Sequence, residues 1–156
     1  MRHNIVKERL GQGGVAIGSW LSLPSPIAAQ HMAHVGYDWL TVDLEHNPIT
    51  IETAALMFQV IAQAGCIPLA RIPSNTEENC KRVLDAGAWG IICPMVNSPE
   101  EAERVVAACK FPPQGVRSVG GGLKTLSFAT DSATYNARAN EEILVVIQAE
   151  HIRAVE

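Results

Sequence analysis

Two acids and a histidine that could move a proton or hold a cation stand together at Asp43, Glu45 and His46, directly behind the apolar run Trp39 to Val42. Pro48 closes the stretch, so the charged residues fall where a buried strand hands the chain to a loop. Parallel α/β folds place their chemistry at that end of a strand. Asp43, Glu45 and His46 therefore offer a general base, a metal-ligand donor, or both. The competing reading is that the two acids cap the next helix and His46 is an exposed loop residue. Arg71 ends the apolar run Cys66 to Ala70, and Glu150 follows Ile143 to Ala149. Each, taken alone, also reads as an ordinary solvated residue past a strand.

The elements that must position these side chains follow a βα rhythm. Expected strands are Val15–Trp20, Trp39–Val42, Cys66–Arg71, Gly90–Pro94 and Ile143–Ala149. Expected helices are Asn4–Leu10, one from about Pro26 to Val35, Ile51 to Ala64, one opening at Asn75 or Thr76, one from Ser98 to Cys109 and one over Ser132–Ala139. Thr50 is a plausible N-cap, and Ser98-Pro99-Glu100-Glu101 combines a cap, a first-turn proline and two acids against the helix dipole. Phe111 to Leu123 reads as a long glycine-rich segment. The strands are apolar almost throughout, which suits burial on both faces of a parallel sheet with right-handed crossovers. The expected fold class is α/β, a partial (β/α)8 TIM barrel of about five βα units with parallel strands.

Composition narrows the classes. The chain has 156 residues, 47% hydrophobic and 18% charged, with a net charge of -4. That is enough for one globular domain and leaves no basic stripe for nucleic acid. No apolar run has transmembrane length, and Met1-Arg2-His3-Asn4 lacks a signal peptide's apolar core. Cys66, Cys80, Cys93 and Cys109 have no CxxC spacing and read as buried thiols in a reducing compartment. The expected setting is cytoplasmic, without nucleic-acid or membrane partners. His31 and His34 are spaced as a helical metal pair but have no carboxylate partner at matching spacing, so they read as helix-surface residues. Gly120-Gly121-Gly122 could cradle a phosphate, yet the P-loop lysine pattern is missing and a flexible loop is the better reading.

The chain resembles the HpcH/HpaI family of metal-dependent class II pyruvate aldolases, which includes 4-hydroxy-2-oxoheptanedioate and 2-dehydro-3-deoxyglucarate aldolases. The resemblance rests on Gly18-Ser19-Trp20, Ala33-His34-Val35-Gly36-Tyr37-Asp38-Trp39, Val42-Asp43-Leu44-Glu45-His46 and Ala70-Arg71-Ile72-Pro73. It continues through Leu84-Asp85-Ala86-Gly87-Ala88, Pro94-Met95-Val96, Phe111-Pro112-Pro113-Gln114-Gly115-Val116-Arg117 and Gln148-Ala149-Glu150. It implies that residues 1–156 are a single domain, the N-terminal portion of a TIM-barrel aldolase. The implied reaction is reversible retro-aldol cleavage of a 4-hydroxy-2-oxo acid to pyruvate and an aldehyde through a metal-bound enolate. His46 matches the family's base and Arg71 the arginine that stabilises the oxyanion. Gln148 matches a substrate-contacting glutamine and Glu150 a metal ligand. Asp85 matches an aspartate that raises the histidine's basicity, although it precedes the fourth strand and would have to reach a histidine in a neighbouring subunit. The implied cofactor is a divalent ion, Mg²⁺ or Mn²⁺, and the implied assembly is a homo-oligomer.

Some features depart from the family. Its second metal carboxylate, an aspartate after the next strand, and three further βα units are expected beyond Glu156. Arg117 is followed by Ser118, where glycine is commoner, and His151 after Glu150 is unusual and could act as an extra ligand. Two alternatives stay open: an inactive truncated remnant with only ligand-binding or subunit-association capacity, and another phosphoenolpyruvate- or pyruvate-type C–C lyase.

Overall fold

The computed structural model describes residues 1–155. Five strands form one sheet: β1 (Gly18–Leu21), β2 (Trp39–Asp43), β3 (Ile67–Arg71), β4 (Gly90–Cys93) and β5 (Leu144–Ile147). Their spatial order is their chain order, and every neighbouring pair is parallel. A doubly wound sheet reverses strand order at a switch point, whereas a barrel adds each strand beside the last. This sheet winds as a barrel does. Between the strands run α2 (Pro26–Ala33), α3 (Ile51–Gln63), α4 (Glu77–Asp85) and α5 (Pro99–Cys109), and α1 (Ile5–Gly11) precedes them. The β4–β5 crossover also carries α6 (Leu123–Ser127) and α7 (Ser132–Glu142), and a 3₁₀ turn spans Ile152–Ala154.

Ser25, Thr50, Thr76, Ser98 and Asp131 each accept a hydrogen bond from the backbone N–H three residues on, so α2, α3, α4, α5 and α7 all start on a side-chain cap. Each strand alternates its side chains between the two sheet faces. Leu40, Val42, Ala70, Ile91 and Cys93 are fully buried, as are Phe58 and Ile61 of α3 and Leu84 of α4. Thr41, Leu69, Ile92, Leu144 and Val146 share the opposite parity. Of these, Leu69, Ile92, Leu144 and Val146 line a groove of about 350 Å³ with Trp20, Trp39 and Gln148, and Val6 and Leu10 of α1 also border it. Asp43 and Arg71 have that same inward parity, being the register partners that end β2 and β3.

Several expected boundaries shift by a residue or more, and three differences have a visible cause or consequence. β1 begins at Gly18 rather than Val15: Val15 and Ile17 are exposed, and pairing starts where Gly18 passes so close to Trp39 that a Cβ would strike its ring. β5 ends at Ile147 rather than Ala149. The glycine-rich segment ends in α6, which the sequence pattern does not announce. That short helix is held by packing: Phe128 behind it stacks on Trp89 at 4.2 Å, and the Trp89 indole donates to Ser127 Oγ at 2.7 Å.

Candidate active site at the C-terminal sheet edge

Asp43 is the hub of this edge. It is 3% exposed, and burial by itself pushes a carboxyl toward the neutral form. Its partners outweigh that. Arg71 donates from Nε to Oδ1 and from Nη2 to Oδ2, both at 2.7 Å, in the bidentate geometry that makes arginine–carboxylate pairs strong. The Glu45 backbone N–H donates to Oδ1 at 3.1 Å, the His46 N–H at 3.5 Å, and the Asn47 amide donates to Oδ2. The carboxyl is held below its ordinary range because the Arg71 hydrogen bonds, the two backbone N–H groups and the Arg71 charge together exceed the burial penalty. Those bonds also fix the turn that carries Glu45 and His46 out of β2.

Arg71 is correspondingly held above its ordinary value, first by the hydrogen bonds to Asp43 and then by the charges of Asp43, Glu45 and Glu150. Glu45 Oε2 lies 3.3 Å from Arg71 Nε. That approach is an ion pair without hydrogen-bond alignment, since the same oxygen is buried and accepts no hydrogen bond. The Trp20 ring from β1 covers the guanidinium, with Arg71 Cζ 4.7 Å from the ring centroid. The His46 ring is largely exposed, with Nε2 3.7 Å from Glu45 Oε1.

The far side of the edge comes from β4 and β5. Gln148 N–H donates to Cys93 O at 2.9 Å and Val96 N–H to Gln148 O at 3.1 Å, carrying the pairing past the formal strand ends. Glu150 is anchored by the Met95 N–H, which donates to Oε2 at 3.1 Å from a residue in the left-handed region (φ 54°). The Gln148 amide stands 3.5 Å from Glu150 Oε1. Four of the five expected site residues, His46, Arg71, Gln148 and Glu150, thus lie at one end of one sheet.

Asp85 is not among them. It ends α4, before β4, and its Oδ1 accepts from Arg117 Nη2 at 2.8 Å and from Lys124 Nζ at 3.0 Å. Both cations are buried, and the Arg117 guanidinium also sits 4.7 Å from the Phe111 ring. Within this chain Asp85 is a structural counter-ion. His151, a possible extra ligand on sequence grounds, caps the 3₁₀ turn by accepting from Arg153 N–H at 3.2 Å. His34 is an exposed helix-surface residue whose Nδ1 bonds Gln30 O at 2.8 Å. All four cysteines are free and buried.

The implied divalent ion can be tested against these donors. Glu150 offers a carboxylate, and Glu45 Oε2 and Gln148 Oε1 are buried oxygens that accept no hydrogen bond. Oxygen donors of this kind suit a hard ion such as Mg²⁺ or Mn²⁺, which keeps water or substrate oxygens in its shell. Among the described residues no cluster of three or more His, Cys, Asp and Glu stands ready to hold an ion unaided. The donors fit in kind, with positions left for oxygens from elsewhere. No described helix is long and apolar enough to cross a membrane.

Sequence reasoning had Asp43 as a generic acid and missed its grip on Arg71. The usable signal was parity, since both residues close neighbouring strands. Trp20 as a cover for Arg71 had no such signal.

The chain is 37% identical over 147 residues to a hydroxypyruvate/pyruvate aldolase of Deinococcus radiodurans, a match covering 94% of this chain and 53% of that protein. It is 35% identical over 153 residues to a 5-keto-4-deoxy-D-glucarate aldolase of Shigella sonnei, covering 98% of this chain and 59% of that protein. The chain therefore spans little more than half the length of these relatives. The crystal structure of an HpcH/HpaI aldolase/citrate lyase family protein from Burkholderia cenocepacia superposes with a TM-score of 0.87 at 36% identity, covering 97% of this chain and 62% of that one. The model of the HpcH/HpaI aldolase/citrate lyase family matches residues 16–156, and the chain belongs to that family.

Proposed function

We propose that the protein to which this chain belongs is a divalent-metal-dependent aldolase that reversibly cleaves a 4-hydroxy-2-oxo acid to pyruvate and an aldehyde. The observation that carries this reading is the Arg71 guanidinium, locked at a strand exit by Asp43 and flanked by Glu45 and Glu150. Asp43 occupies Nε and one hydrogen of Nη2, so the Nη1 side of the fork is free to meet a substrate oxygen.

In the cleavage direction His46, as the base, takes the 4-hydroxyl proton, the C3–C4 bond breaks as C4 becomes the aldehyde carbonyl, and the bond's electron pair becomes the enolate of pyruvate. Arg71 lies where it can donate to the oxygen on which that charge collects, and such a donor acts on the transition state more than on the ground state. His46 gives a proton to the methyl carbon of pyruvate or takes it back. Gln148 orients the oxo acid. A bound divalent ion supplies Lewis-acid polarisation of the keto oxygen, and Glu150 would hold it, together with a second carboxylate that the resemblance puts outside these residues. Asp85 is committed to Arg117 and Lys124, so any effect on a histidine would be on that of a neighbouring copy in a homo-oligomer.

The test is deuterium exchange at the methyl group of pyruvate, followed by NMR with the full-length protein. Exchange is expected to need a divalent ion and to stop with a chelator. His46→Ala should lower the rate by about 10²–10⁴-fold, the usual contribution of a positioned general base. Arg71→Ala should lower it by roughly 10²–10³-fold, typical of one oxyanion donor. Exchange that ignores the chelator and is trapped by borohydride would mean a lysine Schiff base and end this reading.

A further inference from the structure

We infer that Trp20 is a positioning residue for Arg71, holding one face of the guanidinium dry and flat while Asp43 clamps its edge. The inference rests on the aldolase reading above for its catalytic consequence, and on the geometry alone for the contact.

Trp20 lies on β1, an edge strand of the sheet, and borders the groove on its inner face. Its register partner on β2 is Thr41, whose own partner on β3 is Leu69, so the indole starts one inward layer below Asp43 and Arg71. From there the ring meets the guanidinium at 4.7 Å. Arginine prefers such stacking because its cation is planar and weakly hydrated.

The two contacts divide the guanidinium between them. Asp43 takes the Nε–Nη2 edge, with both bonds at 2.7 Å. The Trp20 ring lies against Cζ at 4.7 Å, and in the proposed arrangement it covers a face, where hydrogen-bond acceptors do not compete. An edge clamp leaves rotation about the Arg71 side-chain axis opposed only by two coplanar bonds, and a ring against the face removes the tilt that remains. The ring also excludes water from one side of the cation, which strengthens the field that the free Nη1 side presents to a developing oxyanion. The effect should appear in turnover rather than in pyruvate affinity, because the oxyanion is stronger in the transition state.

The experiment compares Trp20→Leu with Trp20→Phe in the full-length protein. NMR reads the Arg71 Nε–H and Cδ–H resonances, and pyruvate deuterium exchange with Mg²⁺ or Mn²⁺ gives kcat and KM. Trp20→Leu should abolish the ring-current shift of the Arg71 signals and lower kcat about 5–30-fold with little change in KM, the range expected of a partly desolvated cation–π contact. Trp20→Phe should restore most of both, and Trp20→Leu should have little further effect once Arg71 is Lys. A kcat within twofold of wild type in Trp20→Leu overturns the proposal. So does an equal loss in Leu and Phe variants, or a loss that persists in the Arg71→Lys background. Wild-type protein that shows the ring-current shift but no exchange overturns the aldolase reading instead, and removes the catalytic part of this inference with it.

Discussion

Asp43→Asn tests whether the hub of the edge is also a hub of stability. The change keeps the side chain's shape but removes its charge and turns one acceptor into a donor. Arg71 would keep one of its two 2.7 Å bonds, and the other would become an N–H facing an N–H. The Asn47 amide, which also donates to Oδ2, would lose its acceptor. Asp43 and Arg71 are both mostly shielded from solvent, so surface-pair energies do not apply. Removing one partner of such a pair costs about 3–5 kcal/mol, and an asparagine that retains one acceptor should cost roughly 2–4. At about 2–4 °C per kcal/mol for a chain of this size, Tm should fall by roughly 4–16 °C. Urea unfolding of wild type, Asp43→Asn, Arg71→Leu and the double Asp43→Leu/Arg71→Leu variant measures it. The double variant should be more stable than the sum of its single changes implies, because no buried charge is left unpaired. An Asp43→Asn protein within about 0.5 kcal/mol of wild type, the usual range of a surface substitution, would refute the reasoning.

At the other end of the sheet, Asp85→Ala would leave Arg117 and Lys124 buried without their carboxylate, and should destabilise by about 3–5 kcal/mol in a urea titration. His3 lies 2.9 Å from Glu142 and 3.0 Å from Glu8, and its pKa is raised mainly by the Glu142 hydrogen bond. A raised folded-state pKa means a contribution fully present below the ordinary value of 6.5 and lost as pH rises through the folded value. The urea midpoint should therefore drop from pH 5.5 to 8.5 by more in wild type than in His3→Gln. The strands β1 and β5 are the sheet's edges. Unpaired backbone along such edges invites association, so the 156-residue segment expressed alone should sediment as oligomers and release little pyruvate from a hydroxy-oxo acid.

Much of this was legible because the signals were local. Thr50, Ser98 and the glycines at the ends of α1 to α4 announce α3, α5 and the turns, and apolar runs between such signals became strands. The site edge was legible for the same reason: a charged residue directly after a buried run must emerge where the strand does. What escaped depended on contacts between distant segments. No spacing rule joins residue 43 to residue 71, because their meeting depends on the register of β2 against β3. The short α6 has no apolar period of its own and forms against Trp89, 34 residues before its first residue. Asp85 carries a family motif, yet its surroundings are decided by Arg117 and Lys124, which arrive from the glycine-rich segment and α6.

The charge on the edge bears on the metal as strongly as the donor atoms do. Asp43, Glu45 and Glu150 all act on Arg71. Three carboxylates against that one guanidinium leave two negative charges in excess at this edge. An anionic ligand would meet repulsion there, since Asp43 has already claimed one edge of the Arg71 guanidinium. Adding a hydrogen-bond donor does not alter that balance. A divalent ion held by Glu150 would, because its two positive charges offset the excess. The electrostatics of the edge would thus favour a bound cation. They also explain why Arg71 is held so tightly: a guanidinium among three acids would otherwise be drawn wholly into pairing with them, and the Asp43 clamp keeps its Nη1 side for substrate.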